Sequence, residues 1–135
     1  MRFMPWTDDF LTGIQKIDEQ HRWLVDKTND LHDEITKAEP DRQAIGGILL
    51  SLVEYAIDHF IVEEDLFKRY AYPHEAAHLG EHDLFNKTAT ELLSKHESGT
   101  TVNEEAMNFL KNWLAHHILT VDKAYVSFFK AHEIS

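Results

Sequence analysis

The stretch DRQAIGGILLSLVEYAIDHFIVEEDLFKR, residues 41–69, decides the fold of this chain. Ile45, Leu49, Leu52, Val53, Ala56, Phe60 and Phe67 recur at helical spacing and line one face of a long helix. Glu39-Pro40-Asp41 breaks what precedes it, and Tyr70-Ala71-Tyr72-Pro73 forms the turn that follows. Gly46-Gly47 weakens the helical propensity, and the pair is expected to let a neighbouring helix or the N-terminal arm approach closely. His59 and Glu63, four residues apart, share one face of the same helix.

Outward from this segment the pattern repeats. A first helix is expected from about Asp18, a good N-cap, to Lys37, with Trp23, Leu24, Leu31 and Ile35 at helical spacing. A third starts at Pro73 and ends near Lys95. Thr101-Val102-Asn103-Glu104 has capping-box spacing for a fourth, which carries Met107, Leu110, Trp113, Leu114, Ile118, Val121, Tyr125 and Phe128 to about Lys130. No strand-like alternation interrupts them. Four long amphipathic helices with short connections predict an all-α, antiparallel up-down-up-down four-helix bundle, preceded by an irregular N-terminal arm.

Bulk composition narrows the chemistry. A chain of 135 residues suits one domain, and it buries roughly two-thirds of its unfolded surface without needing staples. The absence of cysteine removes disulfides, iron–sulfur clusters and thiol catalysis. No uninterrupted apolar run approaches the ~20 residues of a membrane span, and residues 1–9 lack an apolar signal core. The expectation is a soluble, cytoplasmic protein with no transmembrane segment. A net charge of −11 argues against nucleic acid as a partner. Ten histidines remain to be explained.

Five of them, with two carboxylates, form a set: His21 on the first helix, His59 and Glu63 on the second, His78 and His82 on the third, His117 and Asp122 on the fourth. Any one pair is common by chance in a chain so rich in histidine. The conjunction is not, because in an antiparallel bundle all four helix regions fall in the same half. His117 and Asp122, five apart, lie about 140° from each other on an ideal helix. Either the aspartate approaches from the side, or the helix carries a π-type bulge there. Burying five imidazoles and two carboxylates costs several kcal/mol unless they are satisfied, and metal coordination would satisfy them. Nitrogen and oxygen donors without sulfur suit iron or manganese better than structural zinc. Two six-coordinate metals have twelve positions. Five imidazoles, two bridging carboxylates and one bridging oxygen would occupy eleven, leaving one position open for a small diatomic ligand.

The pattern H…HxxxE…HxxxH…HxxxxD resembles the hemerythrin family, and the surrounding words agree with its single-domain bacterial members. Gly13-Ile14-Gln15-Lys16-Ile17-Asp18-Glu19-Gln20-His21, His59-Phe60-Ile61-Val62-Glu63-Glu64 and Trp113-Leu114-Ala115-His116-His117-Ile118 carry the likeness, which covers nearly the whole chain, 1–135, as one domain. The resemblance implies two non-heme iron ions bridged by Glu63, Asp122 and an oxo or hydroxo group. It gives His78, His82 and His117 to a saturated iron, and His21 and His59 to an open iron where O₂ binds reversibly. It implies an oxygen carrier, store or supplier of an oxygen-consuming enzyme, and not an enzyme itself. Phe60, Trp113, Leu114 and Ile118 neighbour the ligands in sequence and could wall the O₂ pocket.

Rival readings rest on less. His74-Glu75-Ala76-Ala77-His78 is a literal HExxH, but a zinc protease would leave His21, His59, Glu63, His117 and Asp122 without a role. A ferritin-like di-iron oxidase needs two ExxH motifs, and only Glu75 with His78 supplies one. A sensor of O₂, nitric oxide or iron would use the same centre, but 135 residues have no room for an output domain. The other histidines, His32, His74, His96, His116 and His132, are expected in solvent, as are Glu64 and Asp65 beside an inward Glu63.

Overall fold

Asp41 starts the longest helix by accepting hydrogen bonds from the backbone amides of Gln43 and Ala44, a cap worth about 1 kcal/mol. A computed structural model describes residues 3–132, in which helices α1 (Gln15–Ile35), α2 (Arg42–Tyr70), α3 (Glu75–Glu97) and α4 (Asn103–His116) follow one another. A π-helical segment, His117–Asp122, continues α4 without a break into α5 (Lys123–Ala131). Among the described residues there is no strand.

The helices form an antiparallel ring in which α1 packs on α2 and α4, and α3 packs on α2 and α4. Contacts at the two ends establish the direction. The start of α1 meets the end of α2 through His21 and His59, and the start of α2 meets the end of α3 through Arg42 and His96. The expected stripe on α2 faces inward, with Ile45, Leu49, Leu52, Ala56, Phe60 and Phe67 buried and Val53 partly so. One apolar cluster fills the half of the bundle around Leu31, Leu52, Leu92 and Leu110. A second, of Ile14, Ile17, Phe67, Tyr72, Tyr125 and Phe129, closes the other end. The buried histidines His21, His59, His78, His82 and His117 lie between the two.

The N-terminal arm is held at both its ends. Met4 and Asn29 exchange two hydrogen bonds, Met4 N–H donating at 2.7 Å and Asn29 Nδ2 donating back at 2.9 Å. Further along, Asp18 is not the N-cap of α1, as its residue type led one to expect. Ile14 holds that position, and Asp18 reaches back from the first turn to accept from Thr12 N, Thr12 Oγ1 and Gly13 N. The carboxylate still serves the helix start, by clasping the chain that enters it. The capping box expected at Thr101 does not form either. Val102 occupies the N-cap with no side-chain hydrogen bond and is itself buried, so apolar burial places this terminus.

Two further expectations change in three dimensions. Of the glycine pair, only Gly46 permits a close approach: a Cβ there would stand 3.1 Å from His96 Nε2, while nothing lies within 4 Å of one on Gly47. His96 is accordingly buried at 5% exposure, not solvated, and its Nε2 lies 3.0 Å from the Arg42 carbonyl. The Arg42 guanidinium in turn donates to the His96 carbonyl. Second, α2 is long and apolar enough to cross a bilayer by length and composition, with a mean hydropathy of 1.6 over an 18-residue window. Gly46, Gly47 and Ser51 interrupt its apolar run without lowering the average far. The same window carries His59, and its inward face makes the bundle core.

Candidate metal centre

Each helix contributes to one buried cluster. His21 projects from the second turn of α1, His59 and Glu63 from α2, His78 and His82 from α3, and His117 and Asp122 from the two ends of the π segment. All seven are at most 2% exposed. Of the two ways of reading His117 and Asp122, the structure takes the bulge. Closing a turn with i→i+5 bonds brings side chains five apart onto one face, where an α-helix would splay them.

The donors divide into two overlapping groups. Glu63, His78, His82 and His117 form one, and His21, His59, Glu63 and Asp122 the other; within each, the donor atoms all lie within 4.8 Å of one another. Asp122 reaches both sets of histidines with different oxygens. Its Oδ1 is 3.0 Å from His78 Nε2 and 2.9 Å from His117 Nε2, and its Oδ2 is 2.8 Å from His21 Nε2. Glu63 reaches both sets through Oε1, which lies 3.1 Å from His82 Nε2 and 3.2 Å from His59 Nε2.

The cluster has the character of a cage for cations. His78 Nε2, His117 Nε2, both oxygens of Asp122 and Glu63 Oε2 are buried without a hydrogen-bond partner, although several sit at hydrogen-bond distance, because their directions do not align. His82 donates from Nδ1 to Glu64 Oε2 at 3.0 Å, and the tautomer that does so leaves a lone pair on Nε2 facing the Glu63 carboxylate. His59 donates from Nδ1 to Gln20 Oε1 at 2.6 Å, so its Nε2 lone pair faces His21 Nε2 at 3.1 Å. Lone pairs converging in a dry site need a positive charge among them. Two metal ions, one in each group, would supply it.

The charges respond to this crowding. Burial raises Glu63 and Asp122, and Asp122 is raised further by the Glu63 charge, but the surrounding imidazoles win and hold both carboxyls well below their usual range. Burial pushes His117 down, but the charge of Asp122 2.9 Å away, with Glu63 behind it, lifts it to about 10. His78 is raised by the same carboxylates against the same burial. His21 goes the other way, because desolvation outweighs Asp122. Tyr125, fully buried, is pushed well above its usual value, first by burial and then by Asp122 and Glu63.

The apolar surround is partly where the sequence put it. Phe60, Trp113, Leu114 and Ile118 are all buried in one cluster. Phe60 stacks on His82 with centroids 3.8 Å apart, and Trp113 stacks on His117 at 4.3 Å. Both aromatic plates therefore cover the three-histidine group, with His59 touched by Phe60 more distantly at 5.9 Å. His74 is exposed at the start of α3 and joins neither donor group, so HExxH is not assembled as a site. His116 and His132 are exposed, and His32 is half-buried under Phe3.

Sequence reasoning missed three residues. Glu64 is not merely solvated: its carboxylate holds His82. Gln20, buried at 6% exposure, holds His59 from another helix. Tyr125 reads as a core aromatic, yet it is a buried phenol beside both carboxylates. The contacts of Gln20 with His59 and of Glu64 with His82 run between helices, so no spacing within one helix announces them.

Comparison with known proteins agrees with this fold. Residues 12–129 match the family model described as the hemerythrin HHE cation binding domain. The chain is 35% identical over 132 residues to a bacteriohemerythrin of Stenotrophomonas maltophilia, covering 98% of this chain and 85% of that one. It is 37% identical over 127 residues to a bacteriohemerythrin of Methylococcus capsulatus, covering 93% and 95%. A crystal structure of wild-type hemerythrin superposes with a TM-score of 0.85 at 36% identity, covering 93% of this chain and 96% of that one.

Proposed function

This chain belongs to the hemerythrin family, and on that premise we propose that it binds O₂ reversibly at a non-heme di-iron centre and is not itself an enzyme. The observation that carries the reading is the unequal division of the donors. Three imidazoles face one group and two face the other, with Glu63 and Asp122 reaching both. When bound, a pair of irons supplies the electrons that hold O₂ and take them back on release.

The chain's own residues do the rest. Asp122, with its oxygens directed to different histidines, and Glu63, at the centre of the cluster, would hold both ions and offset part of their charge. His78, His82 and His117 would hold one ion with three imidazoles. His21 and His59 would hold the other with two, leaving that position for an exogenous ligand. Phe60 and Trp113 clamp the imidazoles of His82 and His117 and keep water from the three-histidine side. Buried imidazoles, two of them tethered through Nδ1 and two stacked on aromatic plates, would give a rigid cage, which favours reversibility over further oxidation of a substrate. Carriage, storage and supply to an oxygen-consuming enzyme all use this one property.

The test is metal content measured beside the visible spectrum, in air and after oxygen is removed. Two irons per chain, with a colour that fades under argon and returns in air, is the expected result. Two irons with a colour that does not cycle would favour an oxidase or a sensor. Zinc in place of iron would overturn the reading.

A further inference from the structure

The two donor groups differ in more than their number of histidines. Each contains one imidazole whose outer nitrogen is tethered, and the tethers differ in charge. In the three-histidine group, His82 Nδ1 donates to the Glu64 carboxylate at 3.0 Å. In the two-histidine group, His59 Nδ1 donates to the neutral amide oxygen of Gln20 at 2.6 Å. His117 Nδ1 and His21 Nδ1, one in each group, are buried without a partner, so these tethers distinguish the groups where those nitrogens do not.

The surroundings account for which tether carries the charge. The Glu64 side chain is 30% exposed, so water shares the cost of its charge. Gln20 is 6% exposed, and a carboxylate in its place would add a third buried anion beside Glu63 and Asp122. An anionic acceptor on Nδ1–H pushes electron density onto Nε2 and makes the imidazole a stronger donor, whereas an amide orients the ring without adding charge.

We infer that Glu64 and Gln20 set the two metal positions apart, Glu64 strengthening the three-histidine site through His82 and Gln20 holding His59 in place while leaving the two-histidine site weaker and more exchangeable. This rests on the two-metal reading above. Both are positioning residues, since each acts through a histidine. The three-histidine site, with more imidazoles and the charged tether, fills first and releases its ion last.

The experiment is an oxygen-free titration of the metal-free full-length chain with Co²⁺, followed by its visible bands, with thermal unfolding of the metal-free proteins as a check on folding. The wild type should take up two equivalents in two resolved steps. Glu64→Gln keeps a hydrogen-bond acceptor and removes the charge. It should weaken the first step about 10- to 100-fold, shift the bands of the first-bound ion and leave the second step within a few-fold. Glu64→Asp should restore most of the loss. If Glu64→Gln binds both ions as the wild type does, or weakens both steps equally, the inference is overturned. If the wild type takes up only one equivalent, the two-metal reading itself fails, and this inference with it.

Discussion

The indole of Trp113 lies flat on the imidazole of His117, with centroids 4.3 Å apart and planes 13° from parallel. Phe60 lies on His82 in the same way, at 3.8 Å and 12°. Each plate packs one face of a candidate ligand, so ring orientation at the centre is fixed by apolar contacts as well as by hydrogen bonds.

Removing a plate should therefore cost both stability and protection. Trp113 is 8% exposed, and Trp113→Ala should lose about 3–5 kcal/mol in denaturant unfolding. It should also admit water and speed irreversible bleaching of the oxygenated colour. Trp113→Phe should fall between. An alanine variant that bleaches at the wild-type rate would show that the indole is packing alone.

Asp122 divides its oxygens, Oδ1 toward His78 and His117 and Oδ2 toward His21. Asp122→Ala should lower metal content from two ions per chain, measured by elemental analysis, and Glu63→Ala should do the same. His74→Ala should leave it at two, because His74 is exposed and belongs to neither donor group. Loss of metal on replacing His74 would contradict the assignment on α3.

Protons compete with metal for this cluster. His117 is raised from 6.5 to about 10, so it is protonated at neutral pH in the metal-free protein and must release its proton on binding. Metal affinity should climb with pH up to about 10, and adding metal in weak buffer should acidify the solution. For the metal-free fold the signs are opposite for the two kinds of group. The raised His117 contributes stability that is complete below 6.5 and is lost as pH rises through about 10. Glu63 and Asp122, held below 4.5 and 3.8, contribute above those values and lose it as pH falls through their lowered ones. Thermal unfolding of the metal-free protein should thus peak between about pH 5 and 6.5. Metal uptake without proton release would contradict this.

Gly46 and Gly47 are adjacent in a helix and should respond oppositely to alanine. Nothing lies within 4 Å of a Cβ on Gly47, so Gly47→Ala should gain about 0.5–1 kcal/mol from helix propensity. A Cβ on Gly46 would stand 3.1 Å from His96 Nε2, which would have to shift from its place beside the Arg42 carbonyl. Gly46→Ala should show no gain, or a loss of about 1–3 kcal/mol. Melting temperatures of the two variants, compared with wild type, decide it.

Helices whose stripes repeat at i, i+3 and i+4 declare their buried faces directly, and α2 and α4 bury the marked residues apart from the half-buried Val53, while beyond α4 Val121 and Phe128 are half-buried as well. The termini were less legible. Asp18 and Thr101 have the residue types of caps, yet Ile14 and Val102 hold the N-cap positions, because the capping energy of one side chain is smaller than the burial that places the neighbouring residues.

The sequence by itself determined the number and polarity of the helices and that His21, His59, Glu63, His78, His82, His117 and Asp122 fall in the same half of the bundle, since both follow from periodicity along a single chain. Only the tertiary structure decided how those donors divide. The π turn that brings Asp122 beside His117, the Gln20 amide behind His59, the Glu64 carboxylate behind His82 and the burial of His96 against Gly46 depend on contacts between helices or on a local departure from the α-helix. Such contacts are chosen by packing and by the need to satisfy buried polar groups, which act between residues far apart in sequence and leave no period along it.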